Sequence, residues 1–318
     1  MATDAPQSEA FIMKKITLVI VNWNGSADTA NCLSSILHMK KQGVALETVV
    51  VDNGSTDNSV AKLSAGFPWV TILAVDKNLG FTGGNNTGIR YAMLHGAEYI
   101  WLLNNDTIVH PDALKLVGAF ADSKVGIAGS KIYFAPGHEY HKARYTKKEL
   151  GRVFWYAGGL IDWDNMYASH RGVDEVEAGQ YDDAQETSFV TGCSMMVKRE
   201  VIRSVGELDD RYYLYLEDLD FGLRAKAAGY HLVYYPKSVI WHVNAGSSGG
   251  AGNPIHDYYI TRNRLLVGMR YAPFRTKAAL LREAWGLARG GNREKKQAVI
   301  DAFWGKWGKQ YEPKKNNT

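Results

Sequence analysis

The feature that most constrains the fold is an alternation of short apolar runs with amphipathic segments in the N-terminal part of the chain. The runs are rich in β-branched residues and stop at polar ones; they cover residues 16–21, 46–51, 70–75, 99–103 and 125–130. The segments between them have helical spacing. Strands alternating with helices predict a mostly parallel, Rossmann-like sheet flanked by helices. We therefore predict an α/β fold that binds ligands at the carboxyl ends of its strands.

The rest of the chain follows a different pattern. Residues 136–187 are rich in Tyr, Gly, Trp, Asp and His without clear periodicity, which predicts short strands and long loops suited to a second substrate. Helical spacing returns from Asp257 onward, with breaks at Pro273 and at residues 290–291. We therefore expect a helical C-terminal extension.

Composition narrows the class of protein. The chain has 318 residues, of which 46% are hydrophobic and 22% charged, as in soluble globular proteins. No apolar run reaches the ~20 residues that span a bilayer, and the N-terminal stretch lacks the apolar core of a secretion signal. Cys32 and Cys193 are predicted to be reduced thiols of a cytoplasmic protein.

The formal charge of +4 is unevenly distributed. From Arg262 to the end there are 14 Lys/Arg and 4 Asp/Glu, a difference of +10, so the other 23 basic and 29 acidic residues give −6. Such a tail fits nucleic acid, an anionic membrane surface or simply a solvated helix face. Its apolar residues predict an interfacial helix, with packing on the rest of the chain or on a partner subunit as the alternative. These residues are Leu280, Leu281, Trp285, Leu287, Phe303, Trp304 and Trp307, with Arg282 and Arg289 nearby.

Two acidic residues follow buried strands of the predicted sheet. Asp52, in VDNGSTD, can accept hydrogen bonds from a nucleobase N–H or a ribose hydroxyl, although a turn with a helix cap explains the same residues. Asp106, in WLLNNDT, can hold a divalent cation that bridges two phosphates, or can form an Asx-turn. Each motif alone leaves both interpretations open.

The segment NLGFTGGNN predicts a glycine-rich loop over residues 78–84 and a helix from Asn85. Glycines at 80, 83 and 84 let the backbone approach a phosphate or ribose at a helix N-terminus. The spacing is neither that of a dinucleotide-binding fingerprint nor that of a Walker loop. A plain glycine-rich connection is the alternative.

Three acids in four positions, Glu217, Asp218 and Asp220, occur within EDLDFGLRA. Acids in the first turn of a helix favour its dipole, which explains one or two of them. Close carboxylates also repel one another, so we expect Glu217 and Asp220 to raise the pKa of Asp218. Farther on, His242 ends an apolar run; a lone histidine is usually structural and becomes interesting only beside a metal-binding acid.

The order and spacing of these motifs resemble the family 2 glycosyltransferases, inverting enzymes of the GT-A fold. The resemblance runs from about residue 15 to about 272 and rests on VNWNG, VDNGSTD, NLGFTGGNN, LLNNDT, TGCSMMVKR, EDLDFGLRA and WH. The later YYITRNRLLVGMRYAP is similar to the bacterial rhamnosyltransferase-type branch. Together with the sequence pattern, the resemblance to the family implies three parts: a flexible N-terminal extension at 1–14, a GT-A catalytic domain at 15–260 and a basic helical extension at 261–318. The catalytic domain would consist of a nucleotide-sugar-binding half (15–130) and an acceptor-binding half (131–260).

The resemblance also implies roles for single residues. Asp218 would be the catalytic base, paired with Glu217, and Asp106 would bind Mg²⁺ or Mn²⁺ together with His242. Asn104 stands where the family's D-x-D motif has its first acid, so the cation should bind weakly without donor. The implied donor-binding residues are Asn22, Asp52, Asn78, Gly83, Gly84, Asn85, Asn104 and Gly192, and the implied acceptor-binding residues are Tyr215 and Trp241.

The implied activity is transfer of a sugar, with rhamnose as a candidate, from a nucleoside-diphosphate sugar to a glycan or lipid-linked acceptor in bacterial cell-surface polysaccharide synthesis. The expected location is cytoplasmic, with peripheral contact to the inner face of the cell membrane. We expect no nucleic-acid partner, and the protein could form a homo-oligomer. A sugar-phosphate nucleotidyltransferase is one alternative, but its first loop usually carries basic residues and VNWNGSAD has none. A non-catalytic glycan-binding module is the other, and it would not need the acid cluster.

Overall fold

The computed structural model describes residues 13–41, 43–243 and 252–312. Its elements, in chain order, are β1 (Lys14–Asn22), α1 (Ser26–Leu37), β2 (Val44–Asp52), α2 (Ser59–Gly66), β3 (Thr71–Ala74), α3 (Gly80–Leu94), β4 (Tyr99–Asn104), β5 (Thr107–Val109), a 3₁₀ helix (Ala113–Ala121), β6 (Val125–Phe134), a 3₁₀ turn (Lys142–Arg144), β7 (Phe154–Tyr156), β8 (Gly159–Asp162), β9 (Tyr167–His170), β10 (Gln185–Glu186), β11 (Ser194–Lys198), α4 (Arg199–Val205), α5 (Glu217–Ala227), β12 (His231–His242), α6 (Pro254–Tyr271), α7 (Phe274–Gly290) and α8 (Arg293–Phe303).

Among the described residues, ten strands form one mixed sheet in the order β10-β12-β6-β11-β4-β1-β2-β3, with β5 paired to β12 and β7 to β6. The strands β3, β2, β1 and β4 are parallel, as predicted for the N-terminal half. Strand β11 lies antiparallel between β4 and β6, because the chain enters it from the edge at which β4 ends. The α/β fold class is confirmed, and the antiparallel pairing of β11 lies outside the parallel N-terminal strands.

The central strands are buried on both faces. Along β1, Leu18 and Ile20 pack with α1, whereas Val19 packs with α3 on the opposite face. A continuous apolar run is typical of a parallel strand covered by helices on both sides. The register pairs Asn22 with Asp52, so the polar residues that end β1 and β2 lie side by side.

The glycine-rich segment differs from its prediction, because α3 begins at Gly80 and includes most of the expected loop. A Cβ added to Gly84 would lie 2.8 Å from Cγ1 of Val21, and one added to Gly88 would lie 2.1 Å from Cγ1 of Val19. These glycines therefore let the helix pack directly on β1. The pattern reflects close helix–strand packing rather than loop flexibility.

The C-terminal helices share a hydrophobic core with the acid-bearing helix α5. Leu219 of α5 packs in one cluster with Leu266 of α6, Leu280 of α7 and Val299 of α8. Within the described ranges, no helix is long and apolar enough to cross a membrane. The predicted apolar stripe of this region is divided: Leu280 is buried, and Leu287 and Trp307 pack against the core.

Candidate active site

Asp52 is held at the end of β2 by short-range hydrogen bonds. Its carboxylate is 2% exposed, and it accepts from Asn22 Nδ2 at 2.8 Å and from Ser55 N and Oγ at 3.0 and 2.7 Å. Asn22 in turn accepts from Thr29 Oγ1 at 2.8 Å, which accepts from Asn105 Nδ2 at 3.0 Å. This chain of hydrogen bonds connects Asp52 with the residue that precedes Asp106.

Asn53 links the end of β2 to the start of α3, a role that the sequence analysis missed. Its side chain donates to Asn78 Oδ1 at 3.2 Å and to Gly80 O at 2.9 Å, and it accepts from Leu79 N at 3.0 Å. Asn78 Oδ1 also accepts from Gly80 N at 2.8 Å. The signal that the sequence offered was the position of Asn53, a second polar residue directly after the strand-ending Asp52.

Three of the expected donor-binding residues lie within the first turns of α3. Gly83 and Gly84 are helical, and an added Cβ at Gly83 would lie 2.6 Å from Leu79 Cβ. Asn85 is 2% exposed and donates back to Phe81 O at 2.9 Å. Local packing accounts for these residue types, and their contact with a donor stays a prediction.

Asp106 and His242 come from distant parts of the chain and meet at one edge of the sheet. The pairing of β5 with β12 aligns Thr107 with His242, which brings His242 Nε2 to 3.1 Å from Asp106 Oδ1. The two residues are 6% and 5% exposed, respectively. The aromatic ring of Trp155 lies 4.6 Å from the imidazole ring, edge to face.

The Asp106–His242 pair fits a divalent cation that takes few ligands from protein. Among the described residues, His242 Nδ1 and Asn104 Oδ1 are buried without a hydrogen-bond partner. Asp28 of α1 is a second carboxyl group nearby; partial burial, followed by the charge of Asp106, raises its pKa. No cluster of three or more His, Cys, Asp or Glu suited to a metal occurs in the described part of the chain. A phosphate-rich ligand would therefore have to complete the coordination.

Asp218 lies in the first turn of α5 and faces the turn that precedes β11. Its Oδ2 accepts from Gly192 N at 3.0 Å and its Oδ1 from Leu219 N at 2.8 Å. An added Cβ at Gly192 would lie 3.0 Å from the Phe81 ring and 3.8 Å from Asp218 Cβ, so this position has little room for a side chain. Surrounding protein raises the pKa of Asp218, while the backbone N–H groups oppose that shift.

Glu217 is the more strongly perturbed acid of the adjacent pair. Burial, followed by the charge of Asp218, raises its pKa well above the ordinary range. It is 4% exposed, and Oε2 finds no hydrogen-bond partner within the described residues. Because Asp218 receives backbone N–H donors that stabilise its charge, Glu217 is the member of the pair that holds its proton more strongly.

The expectation that Asp220 raises the pKa of Asp218 is wrong. This residue is fully buried and accepts from Arg224 Nε at 2.7 Å, Arg270 Nη1 at 2.9 Å and Tyr271 OH at 2.7 Å. Residues two apart on a helix point to different sides. Asp220 is therefore neutralised on another face, and burial, not Asp220, accounts for the raised pKa of Asp218.

The backbone just before Glu217 is strained. Tyr213, Tyr215 and Leu216 have φ values of 64°, 70° and 67°. Bulky residues rarely adopt the left-handed region, which costs on the order of 1–3 kcal/mol each. Such outliers often cluster at functional sites, and here they set the start of α5. No local sequence signal indicates them.

The two expected acceptor-binding residues lie in different surroundings. Tyr215 lies in the strained segment, with its ring 5.3 Å from the His256 ring. Trp241 precedes His242 on β12 and therefore points to the other face of the sheet, where its Nε1 donates to Gly151 O at 2.8 Å. Contact of either residue with an acceptor stays a prediction.

The turn before β11 connects the two parts of the site. Asn104 N donates to Cys193 O at 3.0 Å, and Gly192 N donates to Asp218 at 3.0 Å. Burial, followed by the charges of Asp106, Cys32 and Asp218, raises the pKa of the Cys193 thiol. Both cysteines are free, as predicted. The Asp106–His242 pair and Asp218 therefore flank one buried cysteine.

Comparison with known proteins identifies the relatives of this architecture. The family model described as "Glycosyltransferase like family 2" matches residues 14–253. The N-acetylglucosaminyl-diphospho-decaprenol L-rhamnosyltransferase of Mycobacterium tuberculosis is 26% identical over 244 residues, 74% of this chain and 78% of that protein. The dTDP-rhamnosyl transferase RfbF of Shigella flexneri is 26% identical over 260 residues, 79% of each chain.

Solved structures show the same fold at low sequence identity. GalNAc-T7 with UDP, GalNAc and Mn²⁺ has a TM-score of 0.64 at 15% identity, covering 92% of this chain and 55% of that one. The mannosyltransferase PcManGT from Pyrobaculum calidifontis, with GDP-Man and Mn²⁺, has a TM-score of 0.52 at 17% identity, covering 91% and 74%. Both neighbours are glycosyltransferases that hold a divalent cation.

Proposed function

Since the chain belongs to the family 2-like glycosyltransferases, we propose that it moves a sugar from a nucleoside-diphosphate sugar to a hydroxyl group of a glycan or lipid-linked acceptor, with inversion at the anomeric carbon. The observation that carries the proposal is the backbone connection from Asn104 through residues 192–193 to Asp218. It sets a carboxylate suited to a base near the Asp106–His242 pair at one edge of the sheet.

On the donor side, Asp52 and Asn22 would bind the nucleoside, because their side chains end neighbouring parallel strands and already form a fixed pair. Asp106 and His242 would hold the divalent cation. When bound, such a cation neutralises the charge that develops on a diphosphate leaving group. Manganese or magnesium would fit a site with one carboxylate and one imidazole plus donor oxygens.

On the acceptor side, Asp218 would remove the proton of the attacking hydroxyl group. The acceptor oxygen then forms a bond to the anomeric carbon, the bond from that carbon to the diphosphate oxygen breaks, and the nucleoside diphosphate leaves. A single displacement needs no enzyme nucleophile. Glu217, whose raised pKa favours the protonated form and whose Oε2 has no partner among the described residues, would donate a hydrogen bond to a substrate oxygen.

Similarity supports the choice of substrates to test first. Two relatives carry rhamnosyltransferase in their names, and one name specifies a diphospho-decaprenol acceptor. We therefore propose a deoxyhexose such as rhamnose as donor sugar and a lipid diphosphate-linked glycan as acceptor. Incubation with a panel of nucleotide sugars, with and without such an acceptor, tests this directly. Release of nucleoside diphosphate supports transfer, pyrophosphate would indicate a nucleotidyltransferase, and no product would indicate a binding module.

Exposed aromatic and basic residues of α7 and α8 would bring the enzyme to its acceptor on an anionic membrane. Phe274, Trp285, Phe303 and Trp304 are 87%, 61%, 64% and 77% exposed. The Arg289 guanidinium lies 4.5 Å from the Trp285 ring centroid. Basic residues next to aromatic ones suit an interface between headgroups and acyl chains.

Liposome flotation tests the membrane contact without removing any part of the core. Trp285→Ser combined with Trp304→Ser should weaken binding to anionic vesicles, and salt should weaken it in the unaltered protein. Leu94→Ser is the matched control, because Leu94 is 84% exposed on α3. Equal flotation of the double variant and the unaltered protein would exclude this surface.

A further inference from the structure

The strained segment before the acid pair is held by a side chain of α6. Asn263 is fully buried, and its Nδ2 donates to the carbonyl oxygens of Tyr212, Leu214 and Tyr215 at 3.0, 2.8 and 2.8 Å. One amide nitrogen therefore gathers three carbonyl groups from four consecutive residues. This arrangement requires the curled backbone that the positive φ values describe.

Arg262, the neighbouring residue of α6, holds the same segment and the C-terminal chain. It is fully buried; its Nη2 donates to Arg211 O at 3.0 Å and Tyr212 O at 2.9 Å, and its Nη1 donates to Gly308 O at 2.7 Å. Its Nε donates to Asn263 Oδ1 at 3.0 Å. The guanidinium therefore fixes the orientation of the Asn263 amide.

The Arg262 guanidinium lies among aromatic rings. The ring centroids of Tyr259, Tyr258 and Trp307 are 4.9, 5.6 and 5.8 Å from its Cζ. Burial lowers its pKa, which shows that the position is costly for a charge. A buried cation that donates to backbone carbonyl groups holds that part of the backbone in one conformation.

Helix α6 also holds α5 on its other side. Arg270 and Tyr271, at the end of α6, donate to the buried Asp220 of α5. The segment before Asp218 and Asp220, two residues after it, are thus both attached to one helix. That helix begins at Pro254, whereas the family match ends at residue 253.

We propose that Arg262 and Asn263 are positioning residues for Asp218, a role that rests on the proposed function of Asp218 as base. By holding the left-handed segment, they make α5 begin at Glu217 and place the Asp218 carboxylate on Gly192 N–H. Without the Asn263 donors, the three carbonyl groups lose their shared partner and the segment relaxes toward ordinary backbone conformations. The carboxylate then moves from its position, although the site keeps all of its reacting groups.

The expected effect appears in the pH profile as well as in the rate. Asp218 acts as a base only when it is ionised, and burial raises its pKa while the Gly192 N–H opposes that shift, so activity rises with pH through that pKa. Displacement of the carboxylate changes both its burial and its hydrogen bond to Gly192, so its pKa changes as well. The acid limb of kcat therefore shifts from that of the unaltered enzyme while the plateau falls.

The test compares Asn263→Asp with Asn292→Ala in the full-length enzyme. Asn263→Asp keeps the shape and the acceptor for Arg262 but loses the donors to the three carbonyl groups. Asn292 is a matched control, because it caps α8 and bonds Asp257 within the same helical group without touching the strained segment. We expect Asn263→Asp to lower kcat on the order of 10²-fold, as a small misplacement of a catalytic group can, with donor KM unchanged and the acid limb shifted. Asn292→Ala should lower Tm only.

Tyr271→Phe, which removes one donor from Asp220, gives a milder version if Asn263→Asp does not fold; a smaller loss of kcat with a shifted acid limb would support the inference. Normal kcat and an unshifted acid limb in a folded Asn263→Asp enzyme, or in Tyr271→Phe if it alone folds, would overturn it.

Asp218→Asn distinguishes a failure of the positioning role from a failure of the base assignment. If Asp218→Asn is inactive while Asn263→Asp is normal, only the positioning role falls; if Asp218→Asn turns over normally, the base assignment fails and the positioning role with it.

Discussion

Two regions of the proposed site are built in different ways: the donor edge, which ends in Asn22 and Asp52, and the base segment, residues 212–218. At the donor edge, Asp52 and Asn22 end regular strands, and their partners are close in sequence or in register. In the base segment, Asp218 follows left-handed residues whose carbonyl groups are held by Asn263, about 50 residues later in the chain. The first arrangement follows from local pattern and sheet geometry. The second depends on tertiary contacts, so single substitutions should affect the two regions differently.

The largest effect is expected for Asp218→Asn, which should reduce kcat ~10²–10⁴-fold because an amide cannot accept the proton. Donor binding should persist, since the donor edge is untouched, and the donor-induced rise in Tm should match that of the unaltered enzyme. Nucleoside diphosphate release measures the rate. Near-normal turnover would remove Asp218 from the proposed mechanism.

Asp106→Asn should have the next largest effect. It removes the carboxylate that is hydrogen-bonded to His242, and a cation contributes several kcal/mol to the stabilisation of developing charge, so activity should fall on the order of 10²-fold. Chelation should abolish the activity of the unaltered enzyme, and added Mn²⁺ or Mg²⁺ should restore it. Asp28→Asn is the control, because that acid lies nearby without a bond to His242; full activity after exhaustive chelation would contradict the cation requirement.

Asp52→Asn should act on binding rather than on the chemical step. A hydrogen bond to a charged group contributes about 1.5–3 kcal/mol, so donor KM should rise at least ~10-fold while kcat stays close to normal. Asp57→Asn in the same motif is a suitable control, because Asp57 is exposed and its carboxylate accepts from Ser59 N within the same turn. A fall in kcat without a change in KM would show that the donor edge and the base segment are not separable.

The smallest effect on rate is expected for Glu217→Gln, because the amide resembles the protonated form that the raised pKa of Glu217 favours. Stability provides the sharper measurement. The raised pKa of Glu217 means that its contribution to stability is present below the unfolded pKa of about 4.5 and is lost as pH rises toward the folded pKa. The variant should therefore gain Tm relative to the unaltered enzyme at pH 7 but not at pH 4. An equal Tm difference at both pH values would show that folding does not raise the pKa of Glu217.

The sequence was sufficient where local pattern decides the structure. Strand-ending residues such as Asp52 and Asp106 lie at one edge of the sheet, as the alternation predicted. It was insufficient for Gly84, because the same glycine that suits a loop also suits a helix pressed against a strand. Buried contacts, not propensity, decide between these two possibilities.

The basic tail shows the same limit more clearly. Arg262 was counted as the first residue of a charged tail, yet it is fully buried. Composition records that a residue is basic but not which groups surround it. The available signal was an Arg–Asn–Arg run inside the largely apolar and aromatic stretch YYITRNRLLVG. A charged residue in such a stretch deserves its own structural explanation before it is added to a charge total.

The attachment of the base segment to Arg262 and Asn263 also fixes when the site is completed during protein synthesis. Arg262 lies 50 residues after Tyr212, and its partner Gly308 lies 46 residues farther on. At ~5–20 residues per second, translation needs roughly 5–20 s to pass from Tyr212 to Gly308. Asn22 and Asp52 are synthesised long before Gly308, so the base segment is the later of the two regions to gain all of its contacts.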